Sequence, residues 1–356
     1  MKKIDLNLHQ NSYSIFVETN LSNKIPNILK DKNNGQKWII ITQHKLMDLF
    51  GFDLLINFKN EGFDVDYITI LNSENAKSMT EYNRIISQMI EMGCDRSATI
   101  IALGGGVVGD LAGFIASTFM RGIRYYQVPT TLLSMVDSSI GGKTGINIAE
   151  GKNLIGSIYQ PSAVFTDPIF LNSLPKDEVV SGLGEIIKYG AIKDKNFLES
   201  LSSWLDNLNQ FPYEKAIEIS SKIKAEIVSQ DEKEGGVRKV LNFGHTIGHA
   251  LESTMGYGKI RHGEAVAYGM LCSSWISKKL KILSTEDHNY LSKIIYKLNL
   301  PKIKQINDKT LLSYINRDKK KQNGIVQLIL LNSLGKGIIS NDVSEDIIIS
   351  SIRLLK

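Results

Sequence analysis

Residues 100–114 read "IIALGGGVVGDLAGF": an apolar β-branched run, three consecutive glycines, then a small apolar helix start. Few folds accommodate that succession. Gly104, Gly106 and Gly109 form G-x-G-x-x-G between a strand and a helix. Glycine lets the backbone approach a pyrophosphate there, and the helix N-terminus offers amide donors and the positive end of its dipole. The pattern predicts a nucleotide-binding α/β unit. One customary element is absent. The acid that holds the ribose should lie about 20 residues further on, but "YYQVPTTLL" (125–133) carries none. Either the ribose is held from elsewhere or the turn is a phosphate-binding variant.

The rest of the first half fits that frame. "IDLNL" and "YSIFVE" read as a hairpin pair, and "KWIIIT" and "DVDYITI" as buried strands. "EYNRIISQMIEMG" has helical spacing and stops at Gly93. This alternation predicts a parallel sheet with helices on its faces. Pro161, Pro168 and Pro175 cluster where the pattern changes, and we place a domain boundary there, expecting domains over 1–170 and 171–356. A length of 356 residues suits two cores. Beyond Pro175 the helical period dominates, in "EVVSGLGEIIKYGAI", "AIEISSKIKAEIVSQDE" and "EAVAYGMLCSSWISKKL". One β-like stretch, "GIVQLILL", lies near the end. The expected fold class is an α/β N-terminal domain with a Rossmann-like parallel sheet plus a mainly α-helical C-terminal domain.

Charge and cysteine content exclude several roles. A net charge of +5 is too mild to argue for nucleic acid, and "RDKKK" (317–321) reads as a solvated loop. Two distant cysteines, Cys94 and Cys272, argue against a disulfide framework and for a reducing, cytoplasmic setting. "MKKIDLNLHQ" lacks the apolar stretch of a signal peptide, and no run is long and apolar enough for a membrane helix.

Two further stretches carry chemistry. "VPTTLLSMVDSSIGGKTGINIAEGKNLIGSIYQP" (128–161) sets Asp137, Lys143, Lys152 and Asn153 among glycines and hydroxyls, which make poor core and poor helix but suit an anion. Then "LNFGHTIGHALE" (241–252) and "RHGEAVAYGM" (261–270) hold His245, His249 and His262, three of only six histidines. Spacing of i, i+4 puts His245 and His249 on one helix face, and imidazoles with a carboxylate suit Zn2+. Thr246 stands where a zinc protease would carry its glutamate. Spacing alone pairs His245 with His249, and Glu185, Glu252 and Glu264 compete to complete the set. His9, His44 and His288 are scattered and read as ordinary structural histidines.

Taken together, "GGGVVGDLAGF", "FMRGI", "VPTTLLSMVDSSIGGKTGIN", "KNLIGSIYQP", "GLGEIIKYG", "DEKEGGVRKVLNFGHTIGHALE" and "HGEAVAYGM" resemble the 3-dehydroquinate synthase family, in order, over most of residues 100–270. The resemblance implies a dehydroquinate synthase-like fold, catalytic NAD, Zn2+ or Co2+, a phosphorylated sugar acid as substrate and a homodimer. It implies metal ligands at Glu185, His245 and His262, with His249 facing the substrate. Lys188, Lys224, Arg238 and Asn242 match substrate contacts; Lys143, Asn153 and Lys319 or Lys320 match the anion side. Asp137 joins this candidate catalytic set, and Arg121 matches an arginine given across the dimer interface. Glu74, Lys77, Gly105, Gly106, Asp110, Thr130, Thr131, Lys143, Lys152, Phe170 and Ser173 match NAD contacts. The sequence departs from the family pattern at Gln43, where an Asp or Asn holds the adenosine ribose, at Gly184 for Ala, and at Ser173 for Thr. The last two keep size or hydroxyl and are expected to matter little. Rival readings are a related sugar-phosphate cyclase (a 2-deoxy-scyllo-inosose or 2-epi-5-epi-valiolone synthase), a metal-dependent polyol dehydrogenase, and a non-catalytic nucleotide-binding regulator.

Overall fold

Strands β1 (Lys2–Leu6) and β2 (Tyr13–Val17) form an antiparallel pair at one edge of the main sheet. Further in, β3 (Lys37–Gln43) buries five consecutive residues, Trp38–Thr42, as a strand covered on both faces must. β4 (Asp64–Ile70), β5 (Thr99–Gly104), β6 (Arg124–Pro129) and β9 (Ala163–Thr166) complete a seven-stranded sheet of order β1-β2-β9-β6-β5-β3-β4, parallel apart from β1. The intervening β7 (Lys143–Ile148) and β8 (Gly151–Ile158) form a separate hairpin. The structure, a computed structural model, describes residues 1–256, 259–303, 308–321 and 326–355, with side chains except at 317–321.

Ile39 and Ile41 of β3 face a core shared with Ile85 and Met89 of the Met79–Glu91 helix and Leu111 and Ile115 of the Gly106–Thr118 helix. Trp38, on the opposite face, stacks on Tyr126 at 5.9 Å. The Met79–Glu91 helix ends as its sequence predicts, with Gly93 at φ 77. β4 and β5 lie on opposite sides of β3, so the strand order reverses there. A crevice outside the carboxyl ends of such strands is where doubly wound sheets bind ligands. Gly104 and Gln43 end the two strands concerned.

The chain forms two compact units, Met1–Leu174 with Lys224–Lys233, and Pro175–Ile223 with Glu234–Lys356. The short stretch joins the first unit through Lys224 to Asp137, Gln160 to Glu232 (2.8 Å) and the Asn7 amide to Ser229 (3.1 Å). In the second unit the helices Lys176–Lys193 and His262–Lys279 are buried almost continuously, over 181–192 and 263–274. The apolar period predicted a helix with one buried face; packing has enclosed it all round. The single β-like stretch near the end proves to be half of a hairpin, β10 (Leu328–Ser333) with β11 (Lys336–Ser340). Among the described residues, no helix is long and apolar enough to cross a membrane.

Candidate active site

Three helices of the second unit meet through glycines. A Cβ on Gly263 would stand 1.8 Å from the Ser181 carbonyl oxygen, and one on Gly184 would stand 2.4 Å from the Gly263 carbonyl oxygen. Gly244 precedes the His245–Met255 helix at φ 79, where a Cβ would also come 2.6 Å from the Val266 oxygen. Gly184, expected to be a near-neutral exchange for Ala, is therefore needed for this helix pair to approach as closely as it does.

That approach assembles the candidate centre. Glu185 is fully buried, and its Oε1 lies 3.5 Å from His245 Nε2 and 3.3 Å from His262 Nε2. Ligands at 2.0–2.1 Å from a tetrahedral Zn2+ stand about 3.3 Å from one another, so each histidine nitrogen lies at ligand spacing from the carboxylate oxygen. His249 is exposed, with its ring 5.3 Å from that of His245 and 5.5 Å from that of His262. The ring nitrogens of the three histidines come within 4.8 Å of one another. Of the competing acids, Glu185 faces both His245 and His262. Glu252 lies behind His262, its Oε2 3.2 Å from Nδ1, and Glu264 accepts the Arg261 amide at 2.9 Å to cap its own helix.

The charged groups of the centre act strongly on one another. Burial, then the Lys188 charge, pushes His245 well below its usual range. Burial also opposes charge on His262, yet hydrogen bonds and charges from Glu185 and Glu252 raise it to about 10. Lys188, 1% exposed, contacts Glu185 one turn away on the same helix. Burying a carboxylate and an ammonium costs several kcal/mol, about what apolar side chains would avoid, so core stability alone does not account for them. Arg238 (2% exposed) is buried in the Val237–Asn242 turn, and Asn242 donates to Glu234 Oε1 at 2.8 Å.

The first unit collects a second group. Lys77, buried, reaches Asp110 Oδ2 at 2.7 Å, contacts Asn153 Oδ1 and lies 3.8 Å from Glu74. Burial raises the Asp110 carboxyl although Lys77 pulls it down. Asn147, which no motif singled out, ties this group together: its Nδ2 donates to Glu74 and its Oδ1 accepts the Asn153 amide, each at 2.9 Å. Asn153 itself has φ 55. The signal was present as the alternation of "TGINI" and "NLIGSI" about a Glu-Gly turn. The later part of the polar stretch, read for its composition, is this hairpin.

At the glycine turn, the Gly106–Thr118 helix starts without a side-chain cap, and a Cβ on Gly109 would meet Gln127 of β6 at 2.6 Å. Thr130 Oγ1 is buried with no hydrogen-bond partner among the described residues. Uncapped amides, a glycine wall and an orphaned hydroxyl fit a phosphate-bearing cofactor. Gly105 lies against Thr131, whose Oγ1 is 2.9 Å from Ser134 Oγ, and Gly106 lies against Ser138. Gln43 donates weakly to the Leu71 carbonyl at 3.4 Å.

The other candidates are more dispersed. Phe170 is buried 4.7 Å from the Phe50 ring, and Ser173 Oγ donates to its carbonyl at 3.2 Å. Lys224 Nζ donates to Asp137 at both Oδ1 (2.7 Å) and the main-chain oxygen (2.6 Å). Lys143 and Lys152 are exposed on the hairpin; Arg121 is exposed at φ 68. Lys319 and Lys320 belong to the Asp308–Lys321 helix, with side chains outside the described residues.

A glycine-turn α/β sheet and a carboxylate–histidine centre on helices define a nucleotide- and metal-binding class of protein. Family models for the 3-dehydroquinate synthase N-terminal and C-terminal regions match residues 67–181 and 182–321. A 3-dehydroquinate synthase of Prochlorococcus marinus subsp. pastoris is 42% identical over 351 residues, covering 96% of this chain and 97% of that one. Among solved structures, a Streptomyces hygroscopicus 2-epi-5-epi-valiolone synthase with NAD+ and Zn2+ bound aligns with TM-score 0.89 at 26% identity, over 98% of both chains. A 2-deoxy-scyllo-inosose synthase complexed with carbaglucose-6-phosphate, NAD+ and Co2+ also aligns at 0.89 and 26%, over 99% of this chain and 100% of that one. The chain belongs to the 3-dehydroquinate synthase family.

Proposed function

We infer that the chain catalyses the 3-dehydroquinate synthase reaction, a phosphate-eliminating lyase step converting 3-deoxy-D-arabino-heptulosonate 7-phosphate to 3-dehydroquinate and phosphate. The observation that carries this reading is the separation of Glu185, His245 and His262, 3.3–3.5 Å from the shared oxygen, in a chain 42% identical to a named synthase over almost its whole length. NAD and a divalent cation, Zn2+ or Co2+, would supply a reversible hydride acceptor and Lewis acidity.

The chain's own groups then bind, orient and neutralise. Glu185, His245 and His262 hold the cation. Lys188, Lys224, Arg238 and Asn242 bind the substrate's carboxylate and hydroxyls. Cationic and amide groups of this kind suit a carboxylate-bearing substrate better than the carboxylate-free sugar phosphates of related cyclases. Lys143, Asn153 and Lys320 take the phosphate, joined by Arg121 from across a homodimer interface. Asp137 orients Lys224, and His249 faces the substrate. Glu74, Lys77, Gly105, Gly106, Asp110, Thr130, Thr131, Lys152, Phe170 and Ser173 seat NAD. The departing phosphate can accept the proton lost in elimination, so few protein bases are required. Catalysis rests mainly on position and electrostatics. The setting is the cytoplasm, in aromatic amino-acid biosynthesis.

The test is phosphate release from the heptulosonate phosphate by enzyme loaded with NAD and Zn2+, with and without chelator. Release that the chelator stops, without accumulating NADH, is expected. Accumulating NADH would instead identify a polyol dehydrogenase, and no release would sink the assignment.

A further inference from the structure

The two histidines nearest Glu185 are held in the same way. Each turns Nε2 toward the Glu185 carboxylate, at 3.5 Å for His245 and 3.3 Å for His262. Each has its Nδ1 3.2 Å from an acceptor oxygen. For His245 the acceptor is the Phe243 main-chain carbonyl; for His262 it is Glu252 Oε2. A neutral imidazole has one N–H and one lone pair, so an acceptor at Nδ1 leaves the lone pair on Nε2, where an ion would sit.

Glu252 reaches this position by helical spacing. It lies seven residues after His245 and three after His249, on the face of the His245–Met255 helix that carries both. His262 is the first residue of the next helix. A helix's first residue lacks the packing of a preceding turn, so its ring needs a partner from another element to hold one orientation.

We propose that Glu252 is a positioning residue of the metal centre: its carboxylate accepts the His262 Nδ1–H, which fixes the Nε2-ligating tautomer and ring plane. A carboxylate also raises the basicity of the ligand nitrogen more than the neutral carbonyl behind His245 can, which strengthens the hold on a divalent cation. Glu252 then acts through His262 and touches neither cation nor substrate. This rests on the metal reading given under Proposed function.

The test is the Zn2+ affinity of the full-length chain, by competition with a chromophoric chelator, for wild type, Glu252→Gln and Glu252→Ala. The Co2+ absorption spectrum of each provides a readout of ligand geometry. Glutamine retains an acceptor for Nδ1–H without the charge. The expected order is therefore wild type, then Gln, then Ala, with Ala weakened about 10- to 100-fold and its Co2+ bands shifted. NAD affinity, which depends on the first unit, should be unchanged, separating this effect from general unfolding. Equal affinities and spectra in all three proteins would overturn the proposal. So would loss of metal from Glu252→Gln as complete as from Glu185→Gln, since Glu252 would then be a ligand. A wild type that binds no divalent cation would overturn the metal reading, and this assignment with it.

Discussion

Gly263 donates its amide to Ser181 Oγ at 3.0 Å, and a Cβ on Gly263 would stand 1.8 Å from the carbonyl oxygen of the same serine. The contact fixes the start of the His262–Lys279 helix against the Lys176–Lys193 helix, which carries Glu185. Backbone cannot rotate aside as a side chain can. Gly263→Ala should therefore cost about 3 kcal/mol, the upper part of the usual range for overpacking. Denaturant unfolding would show the loss, and metal content should fall with it because His262 is displaced. A stable variant with full metal content would mean that the helices tolerate separation.

The proposed ligand set separates two histidines on one helix. His262→Ala should reduce bound Zn2+ to background and abolish turnover, since it removes one of three closely spaced donors. His249→Ala should retain near-stoichiometric metal while turnover falls about 100-fold or more, the scale of a lost acid–base or binding group. Metal analysis of both purified variants checks this. Equal metal loss would place His249 among the ligands.

Much of this architecture follows from local pattern. The glycine turn, the strand rhythm and the helical periods are short-range signals, and the structure places their elements as they imply. Long-range pairing leaves a weaker trace. The residues Lys224–Lys233 join the first unit through hydrogen bonds to Asp137, Gln160 and Asn7, partners 72 or more positions away that no spacing rule encodes. Spacing paired His245 with His249 because i, i+4 is visible in one dimension. The approach of Glu185 to both His245 and His262 depends on glycine-mediated helix contacts. The role of Asn147 depends on which residues the hairpin brings opposite, which polarity alone does not encode.

His288, which is not among the proposed site residues, provides a pH signature. Its Nδ1 lies 3.0 Å from the buried Ser274 Oγ, and burial, followed by the Lys278 charge, lowers it to about 4. The ordinary value of 6.5 applies to the unfolded chain. Between these values the unfolded state binds more protons, so stability rises with pH across that window. The contribution is complete above about 6.5 and is lost as pH falls toward about 4. After allowance for solvent screening it should amount to about 1–2 kcal/mol. Urea unfolding at pH 7 and pH 4.5 should therefore show a smaller acid-induced loss for His288→Gln than for wild type. Identical losses would show that His288 titrates normally.

The Lys77–Asp110 pair lends itself to a double-mutant cycle. Lys77 is almost fully buried and Asp110 sits 2.7 Å away in a site where burial already opposes its charge. Lys77→Met removes the cation and leaves that carboxylate to be neutralised or moved, at a cost of about 3 kcal/mol. Adding Asp110→Asn removes the stranded charge and should restore a substantial part of the loss. NAD should bind at least 10-fold more weakly to both variants, because Lys77 also holds Asn153 and lies beside Glu74. Denaturant unfolding measures the coupling, and quenching of NADH fluorescence measures the affinity. If the two substitutions add without interaction, the ion pair is incidental to folding. If NAD affinity then stays at the wild-type level, Lys77 has no part in the cofactor site.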